Sequence, residues 1–273
     1  MANKNILLAG LPAAGKSTYL AALWAVEKDG KSNHLLTCEG FPSDSSYIDG
    51  MRDNWAVFQA VRRTAFAEPQ EIVLPMKSCR TGEKISLVLP DFKGEIFQRI
   101  LDNAVSDDVR DWCGKSEGIL FMLNIGNNSP ELFQEELSKA TKPKVESEKV
   151  VMTSNDITDA IKNVLLLKFL WTEMGDCPIS ICFSCWDNID IGDNINTEQW
   201  VKANHPCVYN FVENHYTQHR YFGISAQGAD YADLDEGCQD KMAEKASKKE
   251  RAFVYTEKKS YDITEPIDFI ISA

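Results

Sequence analysis

Gly10-Leu11-Pro12-Ala13-Ala14-Gly15-Lys16-Ser17 has the spacing G-x-x-x-x-G-K-S, and each fixed position has a physical reason. Gly10 and Gly15 let the backbone curl until its N–H groups, those around Ala13 and Ala14 included, face one anion. Lys16 reaches the β- and γ-phosphates of a triphosphate, and the Ser17 hydroxyl is a ligand for Mg²⁺. Thr18, next along, completes the phosphate-binding run. Pro12 has no N–H and stiffens the loop. The chemistry is the binding of a nucleoside triphosphate with magnesium. A glycine-rich turn that binds nothing could share this composition. It would not require a buried strand before it and a helix after it, as a phosphate loop does.

A second constellation is Asp91-Phe92-Lys93-Gly94-Glu95, at the end of an apolar run. Asp91 is placed to hold Mg²⁺ through water. Gly94, lacking a side chain, can bring its N–H to the γ-phosphate. The competing account is a strand-to-helix turn that uses Asp and Gly for their turn chemistry alone.

These residues need elements to hold them. Ile6-Leu7-Leu8-Ala9 reads as a buried strand, and a helix follows from Lys16 with Leu20, Leu23 and Trp24 on one face. A polar loop is expected from about Lys28 to Ser43. A helix capped by Ser43 or Asp44 follows, with Tyr47, Ile48, Met51, Trp55 and Phe58 on its apolar face. Ile72–Met76 and Ile85–Leu89 flank a turn at Thr81-Gly82 and read as an antiparallel hairpin. Strands at Gly118–Leu123, Ile179–Phe183 and Tyr221–Ser225 alternate with helices at Ile157–Met174 and Trp200–Tyr216. Tyr231 to Arg251 is acidic, then basic, and is expected in solvent. Ala252–Tyr255 reads as an edge strand and Pro266–Ser272 as a closing helix. The alternation implies an α/β fold, a doubly wound and mostly parallel sheet with one antiparallel edge strand.

The order of phosphate loop, hairpin and Asp-x-x-Gly resembles Ras-like and translation-factor GTPases, the TRAFAC class of P-loop NTPases. Two later segments extend the resemblance over about residues 5–228. Ser184-Cys185-Trp186-Asp187 stands where that class has Asn/Thr-Lys-x-Asp, and Ser225-Ala226-Gln227 where it has Ser-Ala-Lys. The Asp187 carboxylate can accept from guanine N1–H and the 2-amino group, which adenine does not offer. A loop turn with Asn188 is the bland account of Asp187. Ser184 and Cys185 depart from the class, and Cys185 or Trp186 is expected to cover the base instead of lysine.

More narrowly, Asp91-x-x-Gly94-Glu95, the degenerate Ser184-x-x-Asp187 and the terminal Asp262-Ile263-Thr264-Glu265-Pro266-Ile267 are similar to the bacterial double-GTPase group, associated with conflict and antiphage systems. The resemblance implies one Ras-like G domain over residues 1–273, with GTP and GDP as ligands and Mg²⁺ as cofactor. It implies a helical insertion in the switch region at about 28–68, an exposed insertion at about 126–155 and a C-terminal extension at about 229–273. It also implies a protein effector or complex partner and a role in antiviral defence.

Triphosphate hydrolysis needs a positioned water and neutralised charge around the γ-phosphoryl group. Ras-like enzymes place Gln after the Asp-x-x-Gly glycine, and here the residue is Glu95. An ionised glutamate can accept a hydrogen bond from water but repels the phosphate. It therefore needs a proton or a shielding cation, or else it serves only the start of a helix. Thr64 is the best-placed switch threonine and a further Mg²⁺ ligand, and Arg63, just before it, could act as an arginine finger in cis. A solvated basic helix end is the alternative for Arg62 and Arg63, and Thr37 is the alternative threonine.

The net charge of −12 argues against nonspecific binding to nucleic acid or to anionic membranes. The longest apolar run, Val164–Leu167, is too short to cross a membrane. Scattered cysteines suit a reducing, cytoplasmic setting, and Cys182-x-x-Cys185 lacks a second ligand pair for a metal. His34, His205, His215 and His219 read as surface or packing residues. Three functions stay open: a GTPase switch, a nucleotide-bound scaffold with little turnover, and a P-loop ATPase or kinase. The hairpin and Ser225-Ala226-Gln227 argue against the last.

Overall fold

Strand β1 (Ala2–Ala9) carries Ile6, Leu7, Leu8 and Ala9, each at most 1% exposed, because it runs through the middle of a sheet covered on both faces. In the computed structural model Ile6 and Leu8 pack to one side and Leu7 and Ala9 to the other, as the two-residue strand period requires. The structure describes residues 2–28, 32–40, 42, 44–59, 70–102, 104–125, 158–189, 196–229, 236–247 and 249–273.

After β1 come α1 (Lys16–Glu27), β2 (Leu36–Cys38), α2 (Ser46–Ala56), β3 (Gln70–Ser78), β4 (Lys84–Asp91), α3 (Gly94–Leu101), α4 (Asp107–Lys115) and β5 (Gly118–Asn124). The rest of the described chain forms α5 (Asp159–Met174), β6 (Ile179–Ser184), α6 (Thr197–Asn204), α7 (Pro206–His215), β7 (His219–Ser225), α8 (Glu236–Ser247), β8 (Phe253–Tyr255), β9 (Lys259–Ser260) and α9 (Glu265–Ser272). The strands join in one sheet of order β2-β3-β4-β1-β5-β6-β7-β8-β9. The pairs from β4 through β1, β5 and β6 to β7 are parallel.

Both margins are antiparallel: β2-β3-β4 on one side and β7-β8-β9 on the other. The expectation of a single antiparallel edge is corrected accordingly. Strand β2 lies inside the stretch expected as a polar loop. Its Leu36 and Cys38 are buried, and the Leu36 N–H donates to Thr264 Oγ1, so tertiary pairing overrides a polar local sequence. Phe253–Tyr255 is an inner strand, since β9 pairs outside it.

Helices α1, α2 and α9 cover one face, and α3 to α7 the other. The terminal Asp262-Ile263-Thr264 run staples the chain end to the first face. Asp262 accepts from the Leu35 and Thr264 N–H groups, and the Tyr19 hydroxyl donates to the Ile263 carbonyl. Strand β1 sends the chain to one face while its neighbours β4 and β5 send it to the other. A crevice therefore opens at the carboxyl ends of these strands. No helix among the described residues is long and apolar enough to cross a membrane.

Candidate functional site

The crevice is a cleft of about 350 Å³ lined by Pro12–Thr18, Phe92–Glu95, Asn124, Ser184, Cys185, Asp187, Asn188, Ala226, Gln227 and Ala229. It brings together residues at the carboxyl ends of five strands, β1, β4, β5, β6 and β7.

Between β1 and α1 the backbone must turn tightly. Gly15 has φ +90° at the helix N-cap, and Ala13 also adopts the left-handed region at φ +61°. A side chain at Gly10 would stand 2.3 Å from the Met122 carbonyl oxygen, so the loop can seat on β5 only with glycine there. The Asn124 side chain, at the end of β5, donates to the Ala13 carbonyl at 2.9 Å and braces the loop.

Lys16 is 6% exposed, and its ammonium donates to the carbonyls of Gly10 (2.7 Å) and Leu11 (3.0 Å). Burial lowers its pKa to about 8, while Asp91 and Glu95 pull it upward. A cation held in this way, beside loop N–H groups at a helix N-terminus, suits a phosphate chain.

Beneath the loop, the Ser17 hydroxyl donates to Asp91 Oδ1 at 3.3 Å. The Tyr47 hydroxyl, from α2, donates to Asp91 Oδ2 at 2.5 Å. Ser17 and Asp91 are hard oxygen donors side by side, the set that suits Mg²⁺ completed by phosphate and water. Among the described residues no group of three or more His, Cys, Asp or Glu could hold a metal by itself. Gly94 lines the cleft as the first residue of α3. A Cβ there would meet Pro12 Cα at 2.4 Å, so the Asp91–Glu95 turn rests directly on the phosphate loop. Glu95, exposed in the first turn of α3, also lines the cleft.

At the β6 end, Cys185 (φ +61°) and Asp187 line the cleft, and Ser184 is buried against Gly15. Trp186 does not cover a base, which corrects one of the two expectations for that role. It is 2% exposed, lies on Gly223 and packs against Trp200 and Tyr255. Ala226 and Gln227 line the cleft, whereas Ser225 is fully buried and its hydroxyl accepts from the Gly228 N–H at 3.0 Å.

Thr37 lies on β2 opposite Lys77, at the far end of the sheet from the phosphate loop, with its hydroxyl 3.8 Å from Cys79 Sγ. It cannot serve as the switch threonine. Thr64, Arg62 and Arg63, and the insertion at about 126–155, lie outside the described residues. His205 is buried beside Phe183 and Trp200, and burial lowers its pKa to about 4. Arg251 is 1% exposed, which corrects the expectation that it belongs to a solvated run. Its guanidinium stacks on Trp55 and Phe58, and Nε donates to the Gln227 carbonyl.

Sequence reasoning passed over Lys93, Asn124, Asn188 and Tyr47. Lys93 lies inside the Asp91-x-x-Gly94 run. Asn124 could have been found as the polar residue ending a buried strand at the sheet's carboxyl edge. Tyr47 carried no signal beyond its place on an apolar helix face.

A family model described as Double-GTPase 1 matches residues 7–270. No curated protein matches the chain significantly. Among solved structures, Methanosarcina barkeri Roco2 RocCORdC bound to GDP is similar at 15% identity and a TM-score of 0.37, over 91% of this chain and 50% of that one. The chain thus spans about half the length of that relative.

Proposed function

The chain belongs to the Double-GTPase 1 family, and we propose that it is a guanine-nucleotide switch that binds GTP with Mg²⁺ and hydrolyses it slowly to GDP and phosphate. The observation that carries this reading is a single cleft that unites Lys16, Ser17 and Gly94 with Asp187, Ala226 and Gln227.

In this reading Lys16 leaves the carbonyls of Gly10 and Leu11 and pairs with the β- and γ-phosphates, while the loop N–H groups from Ala13 to Thr18 surround them. Ser17 directly, and Asp91 through water, would hold Mg²⁺, with Thr64 as a further ligand. Bound there, the ion supplies positive charge against the phosphate oxygens. Gly94 gives its N–H to the γ-phosphate, and Glu95 accepts a hydrogen bond from the attacking water. Arg63 supplies a second cation in cis. Asp187 reads guanine N1–H and the 2-amino group, Cys185 covers the base, and Ala226 and Gln227 flank it.

The test has two parts. Nucleotide released on denaturing the purified protein should be guanine nucleotide by chromatography. GTP turnover should depend on Mg²⁺ and vanish in Lys16→Ala. Equal turnover in wild type and Lys16→Ala would sink the enzyme reading. Tight ATP binding that survives excess GTP would replace it with a P-loop ATPase or kinase.

One observation favours a second reading, a GTP-bound scaffold. The acidic Glu95 faces the cleft at the place where a neutral side chain would not repel the γ-phosphate. Single turnover of pre-loaded GTP separates the two, because a scaffold leaves the triphosphate intact. The bacterial double-GTPase resemblance supports a cytoplasmic role with partner proteins in antiviral defence. Loss of phage protection in Lys16→Ala cells is the expected outcome, and protection retained would remove that role.

A further inference from the structure

The buried residues of α5 are Asn163, Leu166, Leu167 and Leu170, so one amide stands among leucines. Asn163 is 4% exposed, and its Oδ1 accepts no hydrogen bond from any described residue. An amide oxygen buried in this way is unfavourable unless something donates to it, and a leucine at the same position would carry no such penalty.

Asn163 lines a second cavity of about 10 Å³, between α5 and the outer wall of the phosphate loop. Leu11, Pro12 and Ala14 form the loop side, Asn124 closes the end at β5, and Asp159 stands beside Asn163. Asp159 and Asn163 are four residues apart and share one face of the helix. The volume is about what one water molecule needs, and no larger ligand fits. Lys162 Nζ donates to the Asp159 carboxylate at 2.9 Å, so that charge is already matched and the site does not call for a metal ion.

The phosphate loop is backed elsewhere by protein. Gly94 lies against Pro12, and the Asn124 side chain donates to the Ala13 carbonyl. Toward α5 the loop borders the cavity, and Pro12 has no N–H to send across it. An unfilled gap there would deprive the loop of contacts on that side.

We propose that the cavity is a site for a single ordered water, and that Asn163 is a positioning residue which, through this water, holds the phosphate loop against α5. The water donates to Asn163 Oδ1 and finds its remaining partners among Asp159, Asn124 and the loop backbone. The inference rests on the nucleotide-binding reading above and deepens it, by adding a support for the loop that receives the phosphates.

The experiment compares the full chain as wild type, Asn163→Leu and Asn163→Ser, by X-ray crystallography, calorimetric titration with GDP and Mg²⁺, and thermal unfolding without nucleotide. Wild type should show an ordered water about 2.5–3.0 Å from Asn163 Oδ1. Leucine fills the site with apolar atoms and expels it, whereas serine keeps an acceptor and leaves room. GDP affinity should fall about three- to tenfold in Asn163→Leu, the worth of one hydrogen-bonded support, and stay near wild type in Asn163→Ser. The unfolding temperature of Asn163→Leu should hold or rise, because a buried polar group is gone. A fall in affinity and unfolding temperature together marks a merely structural role and overturns the proposal, and an Asn163→Leu chain that does not fold counts the same way. A dry cavity in wild type, density with the coordination shell of a metal ion, or unchanged GDP affinity in Asn163→Leu also overturns it. A wild type that holds the water but does not bind GDP fails the nucleotide reading itself, a different and separable result.

Discussion

The Tyr47 hydroxyl donates to Asp91 Oδ2 at 2.5 Å while the Ser17 hydroxyl donates to Oδ1 at 3.3 Å, so both oxygens of one buried carboxylate are held by neutral donors. Ser17 comes from the phosphate loop and Tyr47 from α2, a helix that docks on α1 through Ile48, Met51 and a hydrogen bond from the Trp24 indole to Asp49. The two donors fix the orientation of the Asp91 carboxylate beneath the phosphate loop.

Tyr47→Phe should therefore leave GDP binding without Mg²⁺ unchanged. It should raise the Mg²⁺ concentration needed to tighten that binding by about tenfold, the usual order for loss of a group that orients a ligand. GDP titrations at graded Mg²⁺ read the effect, and coincident curves for variant and wild type would contradict it.

Burial lowers the Lys16 pKa to about 8 from an ordinary 10.5, with opposite consequences for stability and binding. Between these values the unfolded chain binds more protons at this residue than the folded one. Its contribution to stability therefore rises with pH across that window. Phosphate binding needs the cation. GDP affinity should thus be level below about pH 8 and fall above it, by at most about tenfold per pH unit. Thermal unfolding of nucleotide-free protein and GDP titration over this range measure the two trends, and affinity constant well above pH 8 would refute the assignment.

Gly94→Ala places a methyl 2.4 Å from Pro12 Cα and 2.5 Å from its nitrogen, against backbone that cannot rotate away. A stability loss of about 1–3 kcal/mol is expected from such overpacking. GTP turnover should fall further than GDP affinity, since the Asp91–Glu95 turn is pushed off the phosphate loop. Denaturant unfolding and single-turnover assays check both, and wild-type stability would show that the turn does not rest on Pro12.

Asp187→Asn removes an acceptor for the guanine 2-amino group while leaving the cleft otherwise intact. GDP should lose its advantage over IDP in competition binding, with ADP affinity little changed. A GDP-to-IDP ratio equal to that of wild type would take Asp187 out of base recognition.

The phosphate loop was legible because its spacing, its buried strand and its helix are all local. So was the Asp91–Gly94 turn, which ends β4 on the same edge of the sheet. The fate of Trp186 was not legible. An indole in a base-binding loop can face the base or the core, and only the approach of Gly223, Trp200 and Tyr255 sends it inward. Arg251 failed for a similar reason. In a charged run it reads as solvated, and burial becomes affordable only where Trp55, Phe58 and the Gln227 carbonyl meet it.

The sequence by itself determined the phosphate loop, the alternation of strands and helices and the order of the nucleotide motifs, because each rests on neighbours within a few residues. Tertiary structure decided the antiparallel margins of the sheet, the inward turn of Trp186 and the two ends of α2, with Tyr47 on Asp91 and Trp55 on Ala226. Those contacts join residues 44 and 171 positions apart, and local propensity carries no information over such distances.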